Sequence, residues 1–198
     1  MKLYVMRHGE TDWNLQRIVQ GQTDIPLNET GKKQALDKKD EFNNLPIELI
    51  ICSPLQRAKL TAKLVNSDKN IPIIFNDSLK ERYMGDFEGK SIDKLIESGD
   101  YDKMNSIPRY KNVESIDEMC DRLHAFLDEI KGYNKNILLV THGAAARVIE
   151  LYFRKSRDYT LSLPKYGNCE IREYTWWWCI VILIRIRDEI VNDLGKFH

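Results

Sequence analysis

An excess of charge of either sign is what this sequence most plainly lacks. Thirty lysine and arginine residues meet thirty aspartate and glutamate residues in a chain of 198, for a formal net charge of zero. Such a chain has no global field to gather nucleic acid or anionic lipid, so neither partner is expected and any anion site must be local. Cysteine is scarce and unpatterned. Cys52, Cys120, Cys169 and Cys179 stand far apart without a C-x-x-C pair, which argues against a structural zinc site and a disulfide framework and predicts reduced, mostly buried thiols. Internal repeats, low-complexity tracts and Gly/Ser linkers are absent, so one domain over residues 1–198 is expected. The opening run Met1–Met6 reaches Arg7 and His8 before the ~7–15 apolar residues of a secretory signal could accumulate, and a cytoplasmic location is expected. The apolar run Trp176–Ile184 falls well short of the ~20 residues that span a membrane.

What is present alternates between strand and helix. Leu3–Met6, Ile47–Cys52, Ile71–Phe75 and Ile137–Thr141 are short runs rich in Val, Ile and Leu, as expected of strands buried on both faces. From Ser53, a serine cap followed by Pro54 at the first helical position and by Leu55, Ala58, Ala62 and Val65 predicts a helix packed on a sheet. Ser115 and Glu118 have the spacing of a capping box, followed by one apolar face of Ile116, Met119, Leu123, Phe126, Leu127 and Ile130. Gly143 joins the Ile137–Thr141 strand to a helix over Ala144–Phe153. This order predicts an α/β three-layer sandwich with a mostly parallel central sheet flanked by helices.

Ligands of open α/β sheets collect beyond the carboxyl ends of the strands. Three such points carry polar groups: Arg7-His8-Gly9-Glu10, then Ser53-Pro54 with Arg57 one turn on, then His142-Gly143. Folding should bring two histidines and two arginines to one edge. Singly, each has an ordinary reading as a structural histidine or a solvated arginine. Arg57, however, falls in the first turn of its predicted helix, where a cation opposes the positive end of the helix dipole unless an anion is bound. Gly9 and Gly143 allow close backbone approach or positive φ, and so could turn N–H donors toward that anion. Together they suggest a phosphate cradle.

These residues also carry a resemblance. The run Leu3-Tyr4-Val5-Met6-Arg7-His8-Gly9-Glu10-Thr11-Asp12-Trp13-Asn14 resembles the signature of the histidine phosphatase superfamily, which includes the cofactor-dependent phosphoglycerate mutases. Gln20–Leu27, Ser53–Ala58, Leu79–Gly85 and Thr141–Gly143 resemble its further motifs in the same order, and Asn168–Ile171 resembles its last strand. The resemblance implies a phosphoglycerate mutase-like fold. It also implies that His8 becomes phosphohistidine, that Arg7, Arg57 and His142 bind the equatorial phosphate oxygens, and that Glu81 is the general acid and base. Asn14, Gln20, Gly21 and Gly143 match positions at the phosphate or substrate, although Gln20 could equally serve to fix its loop. Residue chemistry alone leaves Glu10 and Glu88 as rivals of Glu81. A neutral imidazole is nucleophilic near pH 7, and phosphoryl transfer needs cations and positioning above all.

Neither a metal nor an organic cofactor is implied, since outside this set only His124 and His198 remain among the histidines. The expected partner is a small-molecule phosphate ester. Tyr83, Met84, Tyr101, Met104, Tyr110 and Lys111 are candidates for the wall facing the phosphate. Three functions stand open: a phosphomonoesterase, a mutase returning phosphate to a sugar acid, and a catalytically silent phosphate-binding module. The mutases of the family typically carry a longer insertion between the positions of Glu81 and His142, and this chain has a short one. From Tyr174 onward the resemblance lapses. The run Trp176–Ile184 reads as a buried edge strand or as the contact of a homodimer, and Asp188–Phe197 as a short helix.

Overall fold

The computed structural model describes residues 1–107 and 110–176. Five short strands, β1 (Lys2–Arg7), β2 (Leu49–Cys52), β3 (Ile73–Phe75), β4 (Ile137–Thr141) and β5 (Ile171–Thr175), form one sheet in the order β3-β2-β4-β1-β5. The first four run parallel and β5 lies antiparallel to β1. Between them come the helices α1 (Asp12–Leu15), α2 (Glu29–Asp37), α3 (Lys39–Asn43), α4 (Gln56–Val65), α5 (Ile92–Glu97), α6 (Asp100–Ser106), α7 (Ile116–Ile130) and α8 (Gly143–Phe153).

Alternate strand residues face opposite sides of a sheet, and here each side has its own core. Leu3, Val5, Ile51 and Leu139 pack with Met119, Leu123 and Leu127 of α7 and with Val148 and Ile149 of α8. On the other face Tyr4, Met6, Ile50 and Val140 pack with Ala35 of α2, Phe42 of α3 and Ala58, Ala62 and Val65 of α4. Helices on both sides of a mostly parallel sheet make the three layers. A smaller core of Val19, Phe87, Leu95, Met104 and Val113 ties α5 and α6 to the loops beyond the strand ends.

The helix caps follow local chemistry. Ser115 Oγ accepts from Glu118 N at 3.1 Å and the Glu118 carboxylate accepts from Ser115 N at 2.9 Å, the predicted capping box of α7. The start of α4 differs from expectation. It begins at Gln56, after Pro54, with Leu55 as N-cap and no side-chain cap of its own, and the Ser53 hydroxyl accepts from His142 Nε2 at 2.7 Å and from Leu55 N at 3.4 Å. An oxygen from elsewhere takes the cap's place: Asp24 Oδ1 accepts from Gln56 N at 2.7 Å.

The strands also depart from their predicted form at the edges. β3 is not buried on both faces, since it pairs only with β2 and leaves Ile74 and Phe75 exposed, with the Lys59 ammonium over the Phe75 ring. β5 begins at Ile171, and Asn168–Glu170 form its lead-in, where Cys169 takes φ of +57°. Cys52, Cys120 and Cys169 are buried free thiols. Trp176 is buried against Tyr152 and Phe153, whereas the rest of the Trp176–Ile184 run, Cys179, the Asp188–Phe197 stretch and His198 lie outside the described residues. Among the described residues no helix is long and apolar enough to cross a membrane.

Candidate active site

Register places the site. Arg7 pairs with Thr141 and Cys52 with Val140 across parallel strands, so β1, β4 and β2 end at one edge and release His8, His142 and Ser53 side by side. The His8 and His142 rings, both buried, lie 5.1 Å apart between centroids and are tilted 59°.

Hydrogen bonds fix the proton on each ring. His8 Nδ1 lies 2.6 Å from the Gly9 carbonyl, which can only accept, so Nδ1 carries the hydrogen and Nε2 keeps its lone pair. His142 has the opposite tautomer. Its Nδ1 accepts from Arg57 Nε at 3.2 Å, leaving Nε2–H to donate to Ser53 Oγ at 2.7 Å. Both imidazoles are held well below the ordinary value of 6.5, by burial first and then by the neighbouring positive charge of Arg57; for His8, Arg7 adds to this. At neutral pH His8 is therefore an uncharged imidazole with Nε2 available as a nucleophile.

Two guanidinium groups line the same cavity, and their positive charge acts on the His8 ring. Arg57 is fully buried, donating from Nη1 to the Thr23 carbonyl and from Nη2 to the Gly21 carbonyl, both at 2.8 Å. Arg7 donates from Nη1 to the Tyr166 carbonyl at 2.8 Å, while its buried Nε has no partner. Neither forms an ion pair with a carboxylate of the described residues. Burial lowers the pKa of both arginines, and the negative charge of Glu81 acts against that lowering. Buried cations without a contacting carboxylate are costly unless an anion joins them. The arrangement fits a phosphoryl group.

Glu81 stands across the site on the N-terminus of α8, where its carboxylate accepts from Ala144 N at 3.1 Å, Ala145 N at 3.2 Å and Arg82 N at 2.9 Å. Of the three candidate acids it alone lines the cavity at His8. Glu10 Oε1 is held by Asn28 Nδ2 at 3.0 Å, and Glu88 is enclosed by the loop at Gln22 and Thr23. Asn14 Oδ1 closes the cap of α1 by accepting from Thr11 N and Thr11 Oγ1, which turns its amide toward the cavity. Gln20 also lines the cavity, and its buried Oε1 has no partner, so that atom does not fix the loop.

The glycines differ from expectation. Gly9 and Gly143 are not among the residues at positive φ. Gly9 N donates to Thr61 Oγ1 at 3.0 Å rather than facing an anion, and its missing Cβ makes room for the Gly31 backbone. Gly143 is the first residue of α8, and it is the next two N–H groups that hold Glu81. Gly21 is the glycine of the set that takes positive φ, at +52°.

Arg7, His8, Asn14, Gln20, Gly21, Arg57, Glu81 and Ala144 form one side of a cavity of about 210 Å³, behind whose lining lie His142 and Gly143. Its upper wall comes from Ile18, Val19, Met84, Ile92, Tyr101, Met104, Asn105 and Tyr159, with Arg82 at the side. The Arg82 guanidinium is already engaged by the Glu114 and Met104 carbonyls and by Asn105 Oδ1.

A family model described as histidine phosphatase superfamily (branch 1) matches residues 3–179. The chain belongs to that superfamily. It is 41% identical over 147 residues to a Bacillus subtilis protein named uncharacterized phosphatase PhoE, a match covering 73% of each chain. It is 35% identical over 152 residues to an Escherichia coli protein named probable phosphoglycerate mutase GpmB, covering 73% of this chain and 71% of the other. Among solved structures, a phosphoserine phosphatase from Entamoeba histolytica, in complex with 3-phosphoglyceric acid, superposes with a TM-score of 0.75 at 31% identity, covering 88% of this chain and 90% of that one. Membership and the phosphatase-named relatives support phosphatase activity.

For this histidine phosphatase, three of the six wall residues expected from sequence reach the cavity: Met84, Tyr101 and Met104. The others point elsewhere for identifiable reasons. Tyr83 is exposed, Tyr110 stacks on Phe87 and donates to Asp100, and Lys111 lies over the Phe87 and Tyr110 rings. Sequence reasoning missed Ile18, Val19, Ile92, Asn105 and Tyr159. Ser53, expected at the strand end and also as a helix cap, meets His142 at that edge. Among the described residues no group of three or more His, Cys, Asp or Glu is placed to hold a metal ion.

Proposed function

We propose that this histidine phosphatase hydrolyses small phosphate monoesters through a phosphohistidine on His8. One observation carries the reading: His8 Nε2 keeps its lone pair in a cavity lined also by the buried Arg57 and the half-buried Arg7, neither of which is ion-paired to a carboxylate of the described residues. In the first step Nε2 attacks phosphorus, the phosphorus–oxygen ester bond breaks, and its electron pair leaves with the alcohol oxygen. Glu81 passes on a proton that enters with the ester's monoanion, so that the leaving group departs as a neutral alcohol and Glu81 is left a carboxylate. In the second step Glu81 takes a proton from water, the water oxygen attacks phosphorus, and the phosphorus–nitrogen bond breaks with its pair returning to Nε2. Alcohol and orthophosphate are the products.

The arginines stabilise charge on the equatorial oxygens, and their positive charge supplies what a metal would otherwise bring. His142 orients Arg57 through Nδ1 in the resting site. Its Nε2–H, which donates to Ser53 Oγ in the resting site, is the hydrogen it has for a phosphate oxygen. The unpartnered Gln20 Oε1 and the Asn14 amide face the ester, consistent with substrate contact.

A panel of phosphorylated metabolites assayed for released phosphate tests the reading. Chelators should leave turnover intact, and vanadate, which mimics the trigonal bipyramid, should inhibit. Metal-dependent recovery after chelation would overturn the metal-free mechanism. The probable mutase among the relatives keeps phosphoryl return to a sugar acid as the second reading. Supplying 3-phosphoglycerate with a trace of 2,3-bisphosphoglycerate separates the two: isomerisation outrunning phosphate release by orders of magnitude would establish the mutase.

A further inference from the structure

Glu88 does not line the cavity, yet four donors converge on its carboxylate. Oε1 accepts from Gln22 N at 2.9 Å and Met84 N at 3.0 Å, while Oε2 accepts from Thr23 N at 2.8 Å and Thr23 Oγ1 at 2.5 Å. The carboxylate fills the space that a side chain at position 21 would occupy, since a Cβ on Gly21 would run into it. Three of the four donors are backbone N–H groups, so what this carboxylate organises is mainly backbone.

The consequence lies on the other side of the loop. The Gln22 N–H and the Gly21 C=O belong to one planar trans peptide unit and point in opposite directions. Turning the N–H toward Glu88 turns the carbonyl toward Arg57, which donates to it from Nη2 at 2.8 Å. The Thr23 carbonyl receives Nη1 at the same distance, and Asp24 Oδ1 accepts from Gln56 N, next to Arg57 at the start of α4. Arg57 is thus held between His142 and a loop whose orientation Glu88 dictates. We propose that Glu88 is a positioning residue for Arg57, acting through the 20–24 loop to aim the buried guanidinium at the phosphoryl group. The inference rests on the phosphomonoesterase reading for the identity of that group.

Glu88→Gln is nearly isosteric, but its amide nitrogen can no longer accept from the donors that meet the lost oxygen. Losing acceptors at this half-buried loop should lower kcat/KM for p-nitrophenyl phosphate by on the order of ten- to a hundredfold, with orthophosphate affinity, measured by calorimetry, weakened by a similar factor. Positioning through Arg57 predicts non-additivity. Glu88→Gln should cost little more in an Arg57→Lys background, yet its full effect should persist in Arg7→Lys, because Arg7 is held by Tyr166 and not by this loop. Thr23→Val removes only the hydroxyl contact and should shift the same two quantities in the same direction by a few-fold; it serves if Glu88→Gln does not fold.

Unchanged turnover and orthophosphate affinity in folded Glu88→Gln would overturn the proposal. So would a loss of turnover at unchanged affinity that adds fully to Arg57→Lys, which would make Glu88 a proton carrier in its own right. A wild-type chain that binds orthophosphate but releases it from no ester would instead sink the phosphomonoesterase reading, and the binding measurements alone would then decide the role of Glu88.

Discussion

The two ends of the cavity are built on different principles. At the phosphate end, His8, His142, Arg7 and Arg57 leave strand ends or a helix start and Glu81 is bound to the start of α8, each held by backbone or by a buried neighbour at a defined distance. At the leaving-group end, α5, α6 and the segment carrying Tyr159 present mostly hydrocarbon and aromatic surface over a core of only a few side chains. Directional bonds select a geometry and apolar walls select a shape. The difference teaches that the chemistry belongs to the sheet edge and the choice of alcohol to the cover.

The largest effect should come from the nucleophile. His8→Ala should lower turnover by on the order of 10⁴-fold or more, while orthophosphate still binds the two arginines; an alanine variant that retains turnover would remove the phosphate end from the chemistry. Glu81→Gln comes next, because a general acid matters in proportion to how poor the leaving group is. An alkyl phosphate should slow by about 10²-fold and p-nitrophenyl phosphate by much less, and equal losses on both would move the acid elsewhere.

Acid stability offers a smaller effect at the same end. His8 and His142 are held neutral well below 6.5 in the folded chain, whereas unfolded imidazoles take up protons from about pH 6.5 downward. The unfolded state then binds more protons, so stability should fall as pH drops from 7 toward 5, by up to about 1.4 kcal/mol per histidine per pH unit. Above about pH 7.5 both states are neutral and this dependence vanishes. Denaturant unfolding of wild type and His8→Gln across that range checks the sign: the variant should show the shallower decline, and identical slopes would mean that His8 is not held neutral.

The smallest effect belongs to the cover. Tyr101 lines the cavity but is also 38% exposed, and Tyr101→Ala should change KM by a few-fold, differently for different esters, with kcat on p-nitrophenyl phosphate nearly constant. A uniform fall in kcat across esters would show that the cover takes part in the chemistry and break the division.

The same contrast governs what could be read from the chain alone. The strand runs and the capping box of α7 were legible because apolar period and cap spacing are local. His8, His142 and Arg57 could be placed on one edge because each directly follows a strand or opens the next helix. Glu81 was separable from Glu10 and Glu88 only by resemblance, since what distinguishes the three is which backbone donors surround them in space. Ser53 could be placed at that edge because it follows β2, but its bond to His142, 89 residues away, could not be read from local spacing. The wall was half-legible for the same reason: Tyr159 lies after α8 in a segment without periodicity, and Tyr110 is turned away by Phe87 and Asp100. Long-range pairing, not residue type, decided those positions.

The account's central claim is a covalent bond between phosphorus and His8 Nε2. The most direct test mixes wild-type protein with an isotopically labelled phosphate ester, quenches in base during turnover, and maps the label by peptide mass spectrometry. The account predicts phosphate on the peptide containing His8, stable in base, labile in acid and absent from His8→Ala. Label on another residue, or none while the wild-type protein is turning over at full rate under conditions where breakdown of the intermediate is made rate-limiting, would contradict it.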